Sequence, residues 1–525
     1  MAIAAAVVRP ADAQERLPTP AEVAAVGLQI EWVANGEAFD PNAGMPQAMI
    51  WPDRTAQEAY IVLRIGTRVI AKIDARQRNV DYARWGLYDP NRQQVEPLGV
   101  EGMRRVADEI KRQYLVLGRE VVAEEVVRPQ TFIATATDKG AIELFDADSG
   151  VELWQASVDR PGLPMFGPAM NDEIVAAING STLYVFDRTT GRLINERPLE
   201  KTAATVPIVA ADFVYVVGTD GSITAYQRDD LLFGVRSLRF TGQHFQPPTV
   251  SADHQFMVWP HGSYVYTASL APEFELWSRL QTRSPIATSP TLLSDGMLVA
   301  AQSGVVMRLD YNRNQNIVWR ANYGRELFVR PLTNGTVAVV VSTSGYVGGI
   351  DIATGSILWD VLIPGVQRAV TITPDRVFLQ DFNGGLIAAD LADGRLLGRL
   401  EDNLAPAVLN DFSDRVFLRA TDGRLMCLRP QAAAAPQYHP IVAAIRGTAA
   451  PTATVASETD GSLSDAPGDG RDLLGNEIVD EPEAMGEAPT DNPFGGDNPF
   501  GGGDANPFGG GDANPFGGGG NPFGG

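Results

Sequence analysis

The sequence predicts an all-β fold, an eight-bladed β-propeller of four-stranded blades closed by an N-terminal strand. Three observations predict it. Turn glycines fall at Gly140, Gly180, Gly221, Gly262, Gly304, Gly345, Gly385 and Gly423, with gaps of 40, 41, 41, 42, 41, 40 and 38 residues. Runs rich in β-branched residues flank them, as short strands require. The last repeat stops after two strands, and Leu28–Trp32 has the Leu-x-x-x-Trp form of the missing one.

The elements follow in chain order. Residues 1–25 read as a signal-like or disordered leader, with Ala11-Asp12-Ala13 resembling a small-x-small cleavage site. No Cys follows it, so no lipid anchor is expected. Residues 26–44 hold the ring-closing strand with Trp32, which would tie the termini and cover a sheet edge. Residues 45–127 carry a hairpin, Ala59–Gly66 with Thr67–Asp74, and an amphipathic helix, Gly99–Leu117, with Val100, Met103, Val106, Ile110, Tyr114 and Leu117 on one face. They read either as an insertion before the first blade, the preferred reading, or as an extra blade.

Residues 128–430 are the repeats. One copy runs Thr131–Gly140, Ala141–Asp146, Ala147–Gly150, Val151–Trp154; another runs Val339–Gly345, Tyr346–Asp351, Ile352–Gly355, Ser356–Trp359. Asp closes the second turn by capping backbone N–H groups, and Gly supplies its left-handed residue. A single blade cannot bury both faces of its sheet, so blades must stack side by side.

Residues 431–525 read as a disordered acidic tail. It holds 14 Asp and Glu against two Arg, −12 of a formal net charge of −22. Its composition lacks the apolar area to fold. Asn-Pro-Phe-Gly-Gly recurs five times, presenting Phe494, Phe500, Phe508, Phe516 and Phe523 as possible partner-binding anchors. Pro and Asn preform each bend, and glycine spacers separate the units. One Phe contributes about 1.5–3 kcal/mol on burial, so docking would rely on several copies at once. Asn-Pro-Phe is similar to the ligand motif of eukaryotic EH domains. A low-complexity tether and a multivalent docking segment are the other two readings.

The repeats resemble the pyrroloquinoline-quinone (PQQ) repeat family. The resemblance rests on Asp146…Ser149-Gly150…Trp154 and Asp351…Thr354-Gly355…Trp359, with weaker copies at Asp187…Thr190-Gly191, at Trp277 and Trp319, and at Asp390…Asp393-Gly394. It spans residues 28–429 and implies that Trp32, Trp154, Trp277, Trp319 and Trp359 dock neighbouring blades. One branch of the family is quinoprotein dehydrogenases, with PQQ and calcium. The other is non-catalytic and includes the propeller subunit of the outer-membrane β-barrel assembly machinery. The chain resembles the second. Its one Cys, Cys427, cannot form the adjacent-cysteine disulfide of many quinoprotein dehydrogenases, and no calcium-binding Glu/Asn/Asp set is recognisable.

No catalytic, cofactor-binding or metal-binding residues are assigned. There is no Gly-x-Ser-x-Gly and no phosphate-cradling Gly-Lys-Ser/Thr loop. His244, His254 and His261 lack standard zinc-ligand spacing and read as surface or turn histidines. Asp146, Asp187, Asp310, Asp351 and Asp390 recur at one repeat position, as turn caps do. The acidic balance argues against nucleic acid as partner, and no run of 18 apolar residues marks a transmembrane segment. The expected protein is a monomeric, non-enzymatic scaffold, exported to the periplasm or cell envelope, with unidentified envelope proteins as partners. The alternatives are a PQQ-dependent dehydrogenase and an envelope carbohydrate-binding propeller.

Overall fold

The computed structural model describes residues 17–35 and 47–447, apart from 67, 76–97, 138, 159–161, 233–234, 241–245, 271–272, 287, 311–316, 401–403, 421–422 and 434. Residues 1–16 of the leader, His244 and the five tail phenylalanines lie outside the described residues, whereas 17–25, also assigned to the leader, are described and include a short helix. No helix among them is long and apolar enough to cross a membrane.

The described chain is all-β, with eight antiparallel sheets. The second sheet is representative: Met165–Met170, Ile174–Asn179, Thr182–Asp187 and Leu193–Pro198 pair in chain order. Its two middle strands are almost wholly buried, and its last strand alternates half-buried and exposed positions. The turn glycine Gly180 has φ +59°, which a residue with a Cβ adopts only at a cost. At the seventh repeat the sequence expectation is off by one. Gly384, not Gly385, carries the positive φ, at +86°.

Seven sheets have four strands and one has five. Apolar clusters join each sheet to the next. Val209, Val214 and Val216 pack on Ile174, Ala176 and Val185, for example. The eighth sheet packs in turn on the first, where Val408, Phe417 and Leu425 meet Ile133 and Phe145. Eight sheets in this cyclic order of contact are consistent with a β-propeller.

The eighth sheet takes its outer strand from the N-terminus. Leu28–Asn35 pairs antiparallel with Arg424–Pro430, Leu28 facing Pro430 and Trp32 facing Cys427. A short helix, α1 (Pro20–Ala25), precedes it, with Thr19 and Glu22 forming a capping box. Burial pushes the Cys427 thiol well up, which keeps it an inert core group.

The segment 45–127 both begins the first sheet and extends it. Gln47–Pro52 pairs with Thr131–Ala136, so the first strand of that sheet lies inside the stretch read as an insertion. After a break in register between Pro52 and Gln57, the same two strands run on together from 57–64 against 122–129. Arg68–Asp74 adds a third strand to the extension, and α2 (Gly99–Val116) packs on it through Met103, Val106, Ala107 and Ile110. Two residues assigned to the apolar helix face are exposed, Val100 near its start and Leu117 just past its end. Arg415 of the eighth sheet donates to Glu31 at 2.8 Å, and Lys72 of the extension donates to the same carboxylate at 3.3 Å. This part-buried group fastens extension, N-terminal strand and eighth sheet together.

Candidate functional site

Four of the five tryptophans, Trp32, Trp154, Trp319 and Trp359, lie at contacts between successive sheets. Where a sheet's third strand leads into its fourth, Asp accepts backbone N–H groups and Gly turns the chain. Asp146 Oδ1 accepts from Ser149 N–H at 2.8 Å, Asp187 Oδ1 from Thr190 at 2.8 Å and Asp351 Oδ1 from Thr354 at 2.7 Å. The Gly of each turn has positive φ and lies under an indole of the preceding sheet. A Cβ on Gly150 would come within 2.4 Å of Trp32, on Gly191 within 2.6 Å of Trp154, on Gly355 within 2.7 Å of Trp319, and on Gly394 within 2.5 Å of Trp359. The indole N–H groups donate to carbonyls of the same turns: Trp32 to Ala147 at 3.1 Å, Trp154 to Arg188 at 2.6 Å, Trp319 to Ile352 at 2.8 Å and Trp359 to Leu391 at 2.9 Å. Trp277 is half-buried with its ring 6.1 Å from Phe256; the turn at 311–316 lies outside the described residues.

The cavity of interest lies among the short innermost strands. Thr249–Val250, Thr291–Leu292 and Leu332–Thr333 are two residues long, and each follows a proline, Pro248, Pro290 or Pro331. These strands have no ladder partner on their inner side, and such an edge tolerates a residue without an N–H. Thr249 Oγ1 donates to the Pro290 carbonyl at 2.7 Å, and Thr291 Oγ1 to the Pro331 carbonyl at 2.6 Å. Inner strands of successive sheets are thereby tied in series.

A cavity of about 340 Å3 opens between them, walled by Met49, Trp51, Pro168, Pro248, His254 and Phe412. Trp51 Nε1 donates to Asp172 at 2.8 Å, and Arg54 donates to the Ala252 carbonyl at 2.8 Å. Arg330 and Asp411 pair across the wall. His254 is buried rather than a surface histidine, and its Nδ1 accepts from the Ala211 N–H at 3.1 Å. Burial, with Arg54 nearby adding to it, lowers its pKa to about 4. The proline-lined wall offers one carboxylate, Asp411, and Arg330 holds it, so these side chains do not fit the calcium of a calcium-bound quinone, which needs several oxygen donors. Among the described residues no three His, Cys, Asp or Glu group to hold a metal ion.

One residue of the cavity wall, Ile445, comes from a segment assigned to the tail. Residues 431–447 are folded, apart from 434, which is outside the described residues. The sequence reading placed them with 448–525 because Ala-rich composition hides three apolar side chains at helical spacing. Tyr438 pairs with Ser413, and α3 (Pro440–Ile445) buries Ile441, Val442 and Ile445 against Trp51, Phe132 and Ala252. The inner-strand prolines were missed as well; their recurrence at 168, 207, 248, 290 and 331 was the available signal.

Residues 138–310 and 274–466 match the family described as outer membrane protein assembly factor BamB. The outer membrane protein assembly factor BamB of Shewanella oneidensis is 22% identical over 252 residues, 44% of this chain and 61% of that protein. The match thus spans about three-fifths of the relative. The crystal structure of BamB from Moraxella catarrhalis superposes with TM-score 0.47 at 14% identity, covering 57% of this chain and 93% of that one. The C-terminal WD40 domain of Sif2 gives TM-score 0.47 at 10% identity, covering 57% and 92%. By the extent of the family match, this chain belongs to the PQQ-repeat β-propeller family of the outer membrane protein assembly factor BamB.

Proposed function

We propose that the protein is a non-enzymatic, eight-bladed propeller that binds other proteins at the bacterial cell envelope, in the service of outer membrane protein assembly. Its sheets are the blades, the N-terminal strand closes the ring, and Trp32, Trp154, Trp277, Trp319 and Trp359 dock one blade on the next. The observation that carries the reading is the pairing of Leu28–Asn35 with Arg424–Pro430. It fixes the two ends of the repeat array in one sheet, and a closed array is a rigid platform for loops. The partner-facing parts are the extension at 53–129 and the inner-strand loops around the apolar cavity. The tail phenylalanines Phe494, Phe500, Phe508, Phe516 and Phe523 add weak, repeated anchors.

The test is affinity capture from envelope extract with the full chain, a chain ending after Gly447, and a full chain with the five tail phenylalanines changed to Ser. The full chain is expected to retain components of the outer membrane protein assembly apparatus. Their absence overturns the reading, as does turnover of alcohols or sugars when PQQ and calcium are added. Equal capture by all three chains removes the tail from the proposal.

A further inference from the structure

The short helix α3 sits in a seat larger than itself. It is a six-residue helix, far below the length at which an isolated helix persists in water. Its N-cap, His439, makes no side-chain cap. What holds the segment is a set of contacts reaching to separate sheets. Tyr438 O–H meets Thr131 Oγ1 at 2.8 Å. The His439 ring nitrogens lie 2.6 and 2.9 Å from the carbonyl oxygens of Asp411 and Ile372. Arg446 donates to the carbonyls of Asp53 and Ala56 at 2.6 and 3.0 Å. Apart from the single bridge at Tyr438, no ladder of backbone bonds joins the segment to a sheet.

The seat is also incompletely filled. Ile445 forms part of the wall of the 340 Å3 cavity, which continues beneath it to Met49, Trp51 and Phe412. Pro440 and Ile441 border a second cavity of about 320 Å3 beside Gly335 and Thr336. Both are at the lower end of the volumes in which proteins bind small ligands, about 300–1,000 Å3. Both open to solvent, so a bulkier occupant would cover apolar wall that the helix leaves uncovered. Segments held by few backbone bonds open at a fraction of the global unfolding free energy.

We infer that the mouth occupied by residues 437–446 is a peptide-docking site, filled in this state by the chain's own segment. The partner that displaces it carries the same chemistry: a Tyr-His-Pro-like lead, one apolar helical turn, and an aromatic side chain where this chain has Ile445. The inference rests on the scaffold reading and specifies the site of capture.

The test uses the full chain and two labelled synthetic peptides, residues 437–447 as they stand and the same peptide carrying I445F. Fluorescence anisotropy measures binding, and hydrogen exchange follows the chain's own Val442 and Arg446 amides. These amides are expected to exchange at least tenfold faster than those of Val416–Arg419. The I445F peptide is expected to bind at least tenfold more tightly than the unaltered one and to speed that exchange. Full chains carrying Ile441→Asp or Arg446→Ala, which loosen the native segment by different routes, are expected to bind both peptides at least tenfold more tightly than the unaltered chain. Exchange of 439–446 only together with the sheet amides overturns the inference. So does failure of the peptides to bind whichever variant keeps the sheet content of the unaltered chain. Because no extract enters this assay, failure of envelope capture alongside peptide exchange sinks only the envelope role, and the reverse sinks only the docking site.

Discussion

The indole of Trp154 lies over Gly191 in the next sheet and donates its N–H to the Arg188 carbonyl at 2.6 Å. Trp32, Trp319 and Trp359 repeat the relationship over Gly150, Gly355 and Gly394. Tryptophan and glycine are therefore one device divided between two sheets, a flat face meeting a backbone with no side chain in the way.

Gly191→Ala is expected to be strongly destabilising. The new Cβ would fall 2.6 Å from Trp154 at φ +69°. Positive φ and overpacking together cost about 2–4 kcal/mol. Trp154→Phe, which keeps one aromatic ring but loses the pyrrole ring and its N–H, should cost about 1–3 kcal/mol. Urea unfolding midpoints check both.

The buried pair Arg419–Glu143, at 2.7 Å, crosses from the eighth sheet to the first. Removing either charge alone should cost about 3–5 kcal/mol, because the other stays buried. The double change Glu143→Met with Arg419→Leu should recover most of that loss. A double-mutant cycle in urea reads the coupling, and additive losses would refute it.

His254 sets an acid limit on stability. The folded ring resists protonation down to about pH 4, while the ordinary histidine value is 6.5. Between these values the unfolded chain takes up a proton that the folded one refuses. The contribution is thus complete above about pH 6.5 and is lost as the pH falls towards 4. His254 has φ +58°, a conformation Asn tolerates well. Between pH 7.5 and 4.5 the unaltered chain should lose about 2–3 kcal/mol more than His254→Asn. Parallel pH profiles for the two would refute the assignment.

Leu28 is fully buried in the cluster between the seventh and eighth sheets, beside Val416, Leu418 and Leu428. Leu28→Ala should cost about 2–5 kcal/mol, in the range of core truncations. A loss below 1 kcal/mol would mean that the N-terminal strand is dispensable; differential scanning calorimetry with matched urea curves decides.

Local signals made the repeats readable. Strand runs, the Asp caps at 146, 187 and 351, and seven of the eight first-turn glycines stand in the chain at the places where the structure uses them. Gly384 and Gly385 were indistinguishable because two glycines in a row offer the turn two registers. Relationships between distant positions left no such trace. Nothing near Glu143 announces Arg419, and nothing near Glu31 announces Arg415. The cavity wall was hidden for the same reason, since it is assembled from short stretches far apart in the chain. His254 read as an ordinary turn residue because its burial comes from Trp51 and Arg54, some 200 positions away. The cap at 437–446 escaped notice because its apolar residues are few and stand beside a long acidic stretch.

The partnership of Leu28 with Pro430 has a consequence for biogenesis. A nascent chain emerging from the ribosome presents the first of these strands early and the last only after every intervening repeat has been made. Until then Leu28–Asn35 is an unsatisfied edge, open to mispairing with any neighbouring polypeptide. Contacts so distant along the chain slow the final step of folding. The last sheet is therefore completed only after the whole repeat array has been made.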